Sequence, residues 1–513
     1  MKLNRSGVLL VFIALLTLVA GIAIIRYTAD NGIGVSPDSV AYIKTAESLL
    51  AGNGFYYFEE PLTHFPPLYP LLLAGSAIFS QNVGTSAEWL HGVLYGLNAV
   101  LFGLAIYFST RHSLLAMVLG ILLFFSPQAL LHIHSFAWSE PPFLTFALIL
   151  FISLSFYHKQ RKWYWLIIAA LSLGFILVTR YAGIAFVPVA ALCLLFCNNL
   201  PFKQKIKDTV LFLFLAFIPL GLWMVRNFLL TNSATSREFI FHPITVKHLI
   251  TLVDTVHSFY LPQFESSRVN GVELLIVVIL MMFMIAKLKK QSPNLLTLES
   301  NRLFMMLFGY VFSAIYVLFL LFSISFYDAY TPLDDRLLFP VYIFLTISIF
   351  TTVYEYSHTI GARNAWLVLL VCAFFIVRIN LPTVIETARG FHTTGLGYNK
   401  SSWDYSLTLK KLMSYPANTR VFSNGYTVIR FKTGNQTESL PAKFSPVNDE
   451  PNPYYQEELT AMCAEIDQGK ALFVYLNEVT RNYLPSKAEV LEACSLRLLF
   501  YTKEGSIYGE FKP

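Results

Sequence analysis

Long apolar runs separated by short polar connections organise this chain. One run covers 8–25, and others cover about 88–110, 113–133, 139–157, 164–179, 181–198, 209–230, 271–288, 303–323, 337–354 and 365–382. A helix needs about 20 apolar residues to cross a bilayer core, so the pattern predicts about eleven membrane-spanning helices. The stretch 67–80 is apolar but short, and reads as a re-entrant or surface-packed segment. From about residue 384 the pattern turns soluble. Helices are expected at 403–413, 453–467 and 487–493, strands at 420–424 and 471–476, and a terminal hairpin pairing 496–502 with 506–511. The fold class that follows is a polytopic all-α membrane domain, 1–385, with a small C-terminal α/β domain, 386–513.

Between the first two runs lies 36–70, which cannot cross a bilayer. Ser36-Pro37 reads as a helix start, with Ser as N-cap and Pro at the first helical position. Asp38 then falls in the first turn, where the helix dipole favours a carboxylate. Val40, Ile43, Ala46 and Leu50 share one apolar face, and Gly52-Asn53-Gly54 ends the helix. The stretch is an amphipathic helix at a membrane surface, presenting an acid at its start.

Composition agrees with the span pattern. Of 513 residues, 55% are hydrophobic, 16% aromatic and only 13% charged, against roughly 25% charged in soluble domains. The formal net charge of +6 matters through its placement. With the N-terminus in the cytoplasm, the basic clusters at 111–112, 158–162, 203–207, 287–290 and 363 all fall on the inner side. The loop 27–87, the turns near 132–140 and 180–181, the loops 231–270 and 324–336, and the C-terminal domain then face outward. Cys193, Cys197 and Cys372 lie in apolar runs and read as small core residues. Cys463 and Cys494 could pair if their domain faces an oxidising compartment. Two Asn-x-Ser/Thr triplets, at Asn399 and Asn435, fit the glycosylation pattern.

The outward face gathers the titratable residues. Asp38, Glu140 and Asp335 open helices, while Arg180 and Arg226 end them and Arg336 starts one; His64 lies in the first loop. Charges at mid-bilayer cost about 2.5–3.5 kcal/mol on insertion scales, so such residues face protein or water. A plain alternative makes each one a cap or a snorkelling residue. Taken together, acids that can serve as general base and arginines that can grip a phosphate suit a lipid-phosphate substrate. His132 and His134 are two apart and would point to different helix faces. Zinc is therefore not expected, while a divalent ion between Asp38 and Glu140 remains open. A P-loop and a dinucleotide glycine fingerprint are both missing from the sequence, so an activated donor would arrive in the lipid phase.

These residues resemble an integral-membrane glycosyltransferase of the GT-C superfamily, of the protein O-mannosyltransferase and aminoarabinose transferase type (glycosyltransferase family 39-like). The resemblance covers about 30–385. It is carried by Asp38 with Tyr42, Ala46 and Leu50, by 64–70 (HFPPLYP), by Ser139-Glu140-Pro141, by 179–183 (TRYAG), by 223–227 and by 336–340. The resemblance implies an inverting transfer from a polyprenyl-phosphate-linked sugar to a hydroxyl of a lipid, glycan or protein acceptor. It also implies a multi-pass place in a bacterial inner membrane, membrane lipids as partners and no nucleic acid. Asp38 would be the catalytic base and Glu140 the second acid. Tyr42, His64, Tyr69, Arg180, Tyr181, Arg226, Asp335 and Arg336 are the substrate-binding candidates, with Arg180 and Arg336 as candidates for the lipid phosphate. Many relatives carry two adjacent acids where this chain has Asp38-Ser39, which leaves Asp38 alone. A transporter or flippase of lipid-linked sugars is the alternative, and it would show broken helices in repeated halves.

Overall fold

The computed structural model describes residues 5–78, 80, 82–196, 200–235, 239–291, 300–328, 331–416, 418–445, 447 and 449–510. Cys197 and the far ends of the expected segments 181–198 and 506–511 lie outside the described residues.

The membrane part runs α1 (Arg5–Thr28), α2 (Pro37–Leu50), the short strands β1 (Tyr56–Tyr57) and β2 (Glu60–Pro61), α3 (Leu68–Ala77), α4 (Val83–Ser109), α5 (Leu114–Phe125), α6 (Gln128–Ser135), α7 (Glu140–Gln160) and α8 (Trp163–Leu177). A 3-10 turn (Tyr181–Ala185) leads into α9 (Phe186–Phe196). Then come α10 (Phe202–Thr231), α11 (Val246–Ser258), α12 (Ser267–Gln291), α13 (Ser300–Phe326), α14 (Asp335–Ile360) and α15 (Ala362–Thr394). Among the described residues eight helices are long and apolar enough to cross a membrane, and α5 with α6, bent by 67°, makes a ninth. The remaining two expected spans are α8 and α9, which are apolar but short. The segment expected to be re-entrant is α3, also short. The chain is a multi-span membrane protein.

Its core is aromatic and continuous, with Phe143, Phe151, Phe186, Phe304, Phe308 and Phe344 buried together. The outward surfaces are apolar too: Val8, Phe12, Leu15 and Val19 of α1 are exposed, as a lipid-facing helix requires. The α1–α4 seam is set by glycines. A Cβ on Gly21 would lie 2.3 Å from Gly96 N, so only a small-residue seam lets these backbones approach.

The start of α2 forms as its sequence asks. Ser36 is extended and its side chain accepts from Ser39 N. Val40, Ile43 and Ala46 are buried with Tyr42 and Tyr69. Leu50 departs from that face and is exposed, because the helix ends there. Cys372 is likewise exposed rather than in the core, on a helix whose buried residues are Ala365, Leu369 and Ala373.

Beyond α15 the chain forms α16 (Ser401–Asp404), α17 (Leu407–Leu412), β3 (Arg420–Ser423), α18 (Tyr426–Thr433), β4 (Thr437–Ser439), α19 (Tyr455–Asp467), β5 (Ala471–Leu476), α20 (Lys487–Ala493), β6 (Arg497–Tyr501) and β7 (Gly505–Gly509). The sheet order is β4-β3-β5-β7-β6. β4, β3 and β5 are parallel, and β7 and β6 add antiparallel strands at one side. Both faces are covered, as parallel strands demand. The expected helix 403–413 is broken at Tyr405-Ser406, where Ser406 caps α17. Helix α18 and strand β4 went unanticipated; eight and three residues are too short for a clear period. Cys463 and Cys494 form a disulfide between α19 and the end of α20. Asn399 and Asn435 each donate the side-chain amide to a backbone carbonyl, of Ile33 and Pro416.

Candidate functional site

Four helix ends converge at the end of the bundle that carries the sheet. Helix α2 brings Asp38, α7 brings Glu140, the break between α8 and the 3-10 turn brings Arg180, and α14 brings Arg336. Two prolines after Glu140 suit a helix's first turn, where no N–H partner is needed. Asp334 caps α14 by accepting from Leu337 N, which fixes Arg336 two residues on.

Arg336 is the hub. Its Nη2 donates to Asp38 Oδ2 at 2.9 Å and its Nε to Glu140 Oε1 at 2.5 Å. Arg180 Nη1 meets the same Glu140 oxygen at 2.7 Å and donates to Ser139 Oγ at 3.2 Å. Glu140 is fully buried, and its second oxygen has no hydrogen-bond partner among the described residues. Two guanidiniums therefore balance two carboxylates, the condition under which a buried carboxylate is tolerated. The planar fork of arginine lets Arg336 serve both acids at once. The Arg336 guanidinium also stacks over Trp138.

Beside this cluster lies a cavity of about 300 Å³. Asp38, Tyr42, His64, Arg180, Tyr181 and Arg336 all line it, with Ser139, Ser323, Asp328, Thr331 and Asp334. Burial pushes the Tyr42 phenol well above its usual range, Asp38 adds to the rise, and Arg180 offsets part of it. Tyr42 is thus held protonated, 3.4 Å from Ser139 Oγ.

The remaining sequence candidates sit elsewhere. Tyr69 lies one layer behind, edge-on to Tyr42 with ring centres 5.0 Å apart, and its hydroxyl bonds His91 Nε2. Asp335 turns away from the cavity and lines a second one with Asp254, Thr255 and Asn380. Arg226 is not a cavity residue. It donates to the carbonyls of Leu62 and Phe55 and stacks over Trp223, so it clasps the first loop to α10. His134 is buried and bonds Leu130 O and Asn98. His132 instead packs against Trp138 and Phe391, so the two histidines do diverge. Trp138, Asp328 and Thr331 were missed. Trp138 adjoins the Ser139-Glu140 motif, but nothing in the pattern marks the other two.

A divalent ion does not suit this donor set. Asp38 and Glu140 are both engaged by Arg336, and among the described residues no group of three or more His, Cys, Asp or Glu converges. An ion would have to displace a guanidinium.

Fold and site together define a multi-span membrane protein with a cluster of acids and arginines at one end of its helix bundle. Residues 44–253 match the family model for dolichyl-phosphate-mannose-protein mannosyltransferase. The match begins downstream of Asp38 and takes in Glu140, Arg180 and Arg226. The chain is similar in structure to ArnT from Cupriavidus metallidurans bound to undecaprenyl phosphate, at TM-score 0.55 and 12% identity over 96% of this chain and 97% of that one. The same protein in the apo state gives TM-score 0.55 at 14% identity, with the same coverage. The arabinofuranosyltransferase AftD from Mycobacteria gives TM-score 0.52 at 10% identity, spanning 98% of this chain and 40% of that one. No curated protein matches the sequence. The GT-C resemblance read from the sequence is borne out, and the fold is that of these glycosyltransferases.

Proposed function

We propose that this protein transfers a sugar from a polyprenyl-phosphate donor to an acceptor hydroxyl, with inversion and with Asp38 as base. The observation that carries this reading is the meeting of Asp38, Arg180, Arg336 and His64 on one cavity, with Glu140 buried behind it. The undecaprenyl phosphate bound to the structurally similar ArnT and the mannosyltransferase family match point to the same donor class.

In the proposed step the acceptor hydroxyl attacks the anomeric carbon. Its proton passes to Asp38 as the new C–O bond forms. The bond from the anomeric carbon to the phosphate oxygen breaks, and polyprenyl phosphate leaves with the electron pair. Arg180, with His64 nearby, faces the charge growing on that leaving group. Arg336 fixes the Asp38 carboxylate, and Glu140 holds both arginines in register.

The site faces outward, away from the cytoplasm, in a bacterial inner membrane. The basic clusters on the opposite connections and the disulfide in the sheet domain support that orientation. The loop 231–270 and the sheet domain are the places for acceptor choice.

The test uses purified protein in vesicles with a labelled polyprenyl-phosphate sugar and a native membrane extract as acceptor. Asp38→Asn should insert normally and lose transfer. Unchanged transfer by that variant overturns the assignment of the base. Movement of the labelled lipid across the bilayer with no new glycosidic bond would favour transport instead.

A further inference from the structure

Immediately before Ser36 the chain runs as the middle member of a three-segment ladder. Gly34 N donates to Ser135 O and Ala137 N to Gly34 O, at 2.8 and 2.9 Å. On the other side Tyr398 N donates to Val35 O at 2.7 Å. The pairings Gly34 with Phe136 and Val35 with Gly397 are both parallel. Asp38 stands three residues past Val35, and Glu140 three residues past Ala137. One ladder thus carries both acids, and its third member comes from the link between α15 and the sheet domain.

That third member has no slack. Gly397 has φ +56°, and a Cβ there would lie 2.1 Å from Val35 O and 2.9 Å from the Phe136 ring. Asn399 donates its side-chain amide to Ile33 O at 2.8 Å, while Lys432 of α18 donates to its Oδ1. Ile33 and Val35 are buried. The sheet domain adds two more holds, Arg430 over Phe58 at 3.8 Å and Lys44 over Phe431 at 5.9 Å.

We propose that residues 395–399 are a positioning element of the site. Gly397 and Asn399 are positioning residues that hold 33–35 against 135–137, and so set Asp38 against Glu140 and Arg336. This rests on the reading of Asp38 as base, although the ladder itself can be tested without it. A shift of about 1 Å in a reacting group can cost about 100-fold in rate, so a backbone register next to the base bears on turnover directly.

The experiment compares full-length Gly397→Ala, Asn399→Ala, Gly434→Ala and Asp38→Asn in vesicles. Gly434 is a control: it has φ +73° in the same domain, with nothing within 4 Å of a Cβ. Two readouts are taken, transfer kinetics and amide hydrogen exchange over 33–38 and over β3 and β5. In Gly397→Ala and Asn399→Ala exchange at 33–38 should quicken while the sheet stays protected. Their kcat should fall about 10- to 100-fold, with the donor KM within about two-fold. Gly434→Ala should change neither. If Gly397→Ala does not fold, Asn399→Ala, which leaves the backbone intact, decides alone. Unchanged exchange at 33–38, unchanged kcat despite faster exchange, or an equal loss in Gly434→Ala overturns the proposal. Full transfer by Asp38→Asn sinks the assignment of the base instead, and the exchange data then still judge the ladder.

Discussion

The guanidinium carbon of Arg336 lies 3.8 Å from the centre of the Trp138 ring. The indole N–H of Trp138 in turn donates to Ser36 Oγ at 2.7 Å. Ser36 caps the helix that presents Asp38. One aromatic side chain therefore joins the hub cation to the cap of the helix carrying the acid it binds.

Arg336 should be the most sensitive position in the cluster. Arg336→Ala strips Asp38 of its arginine and leaves Glu140 to Arg180. Breaking a buried pair costs about 3–5 kcal/mol, and the remaining Arg180 contact puts this case near the lower figure. Arg336→Lys restores charge but cannot reach two carboxylates from one plane, so transfer should stay at least about 100-fold down. Thermal unfolding and transfer rates in the same detergent measure the two effects. Wild-type activity in Arg336→Lys would show that the fork geometry is irrelevant.

Arg180 and Arg226 look alike in the sequence but should behave differently. Arg180→Ala should raise the donor KM, because its guanidinium lines the cavity. Arg226→Ala should instead loosen the hairpin clasped at Phe55 and Leu62, seen as faster amide exchange over 55–63. The donor KM should change little. A larger KM effect from Arg226→Ala than from Arg180→Ala would reverse the assignment.

Those two arginines also show what sequence reasoning can reach. Helix ends, prolines and spans were legible because bilayer thickness and backbone capping act locally. Asp38, Glu140, Arg180 and Arg336 were found as a set because each sits at a helix end on one face. Arg226 satisfies the same rule, and only three-dimensional packing shows that its guanidinium is spent on loop carbonyls. Asp335 lines a different cavity from its neighbour Arg336, because one residue along a helix is about 100° of rotation. Strand β4 and helix α18 were illegible because their stability comes from partners distant in sequence rather than from a local period.

Stability should depend on pH through Asp334. Burial raises its carboxyl above the ordinary value of 3.8, and Asp335 beside it adds to the rise. The native state thus favours the neutral acid. Its contribution is complete below the unfolded value and is lost as pH rises through the folded one. Asp334→Asn removes that loss, and its amide oxygen can still accept from Leu337 N. The variant's melting temperature should gain on wild type from about pH 4 upward. A difference that stays constant between pH 4 and 8 would count against this account.

The sheet domain should depend on its disulfide. Cys463 and Cys494 are separated by 31 residues, and closing a loop of that size is worth about 3–4 kcal/mol in the chain-entropy model. The double serine variant should unfold at lower denaturant, detected by loss of protection over β5 and β7. The α1–α4 seam should keep its protection, since its close glycine contacts, Gly21 on Gly96 and Gly92 on Ile22, lie between two membrane helices. Equal protection of β5 and β7 with and without the bond would remove the domain's need for it.

Helix α8 has only 15 residues, about 22 Å at 1.5 Å per residue, against a hydrocarbon core of about 30 Å. Its exposed stripe of Tyr164, Ile168, Leu171 and Phe175 faces lipid. Such hydrophobic mismatch is relieved when the bilayer thins along that edge. Arg180 stands three residues beyond Leu177, the last residue of that helix. By length alone, this helix ends about 8 Å short of the full hydrocarbon thickness, and the arginine that lines the cavity comes directly after it.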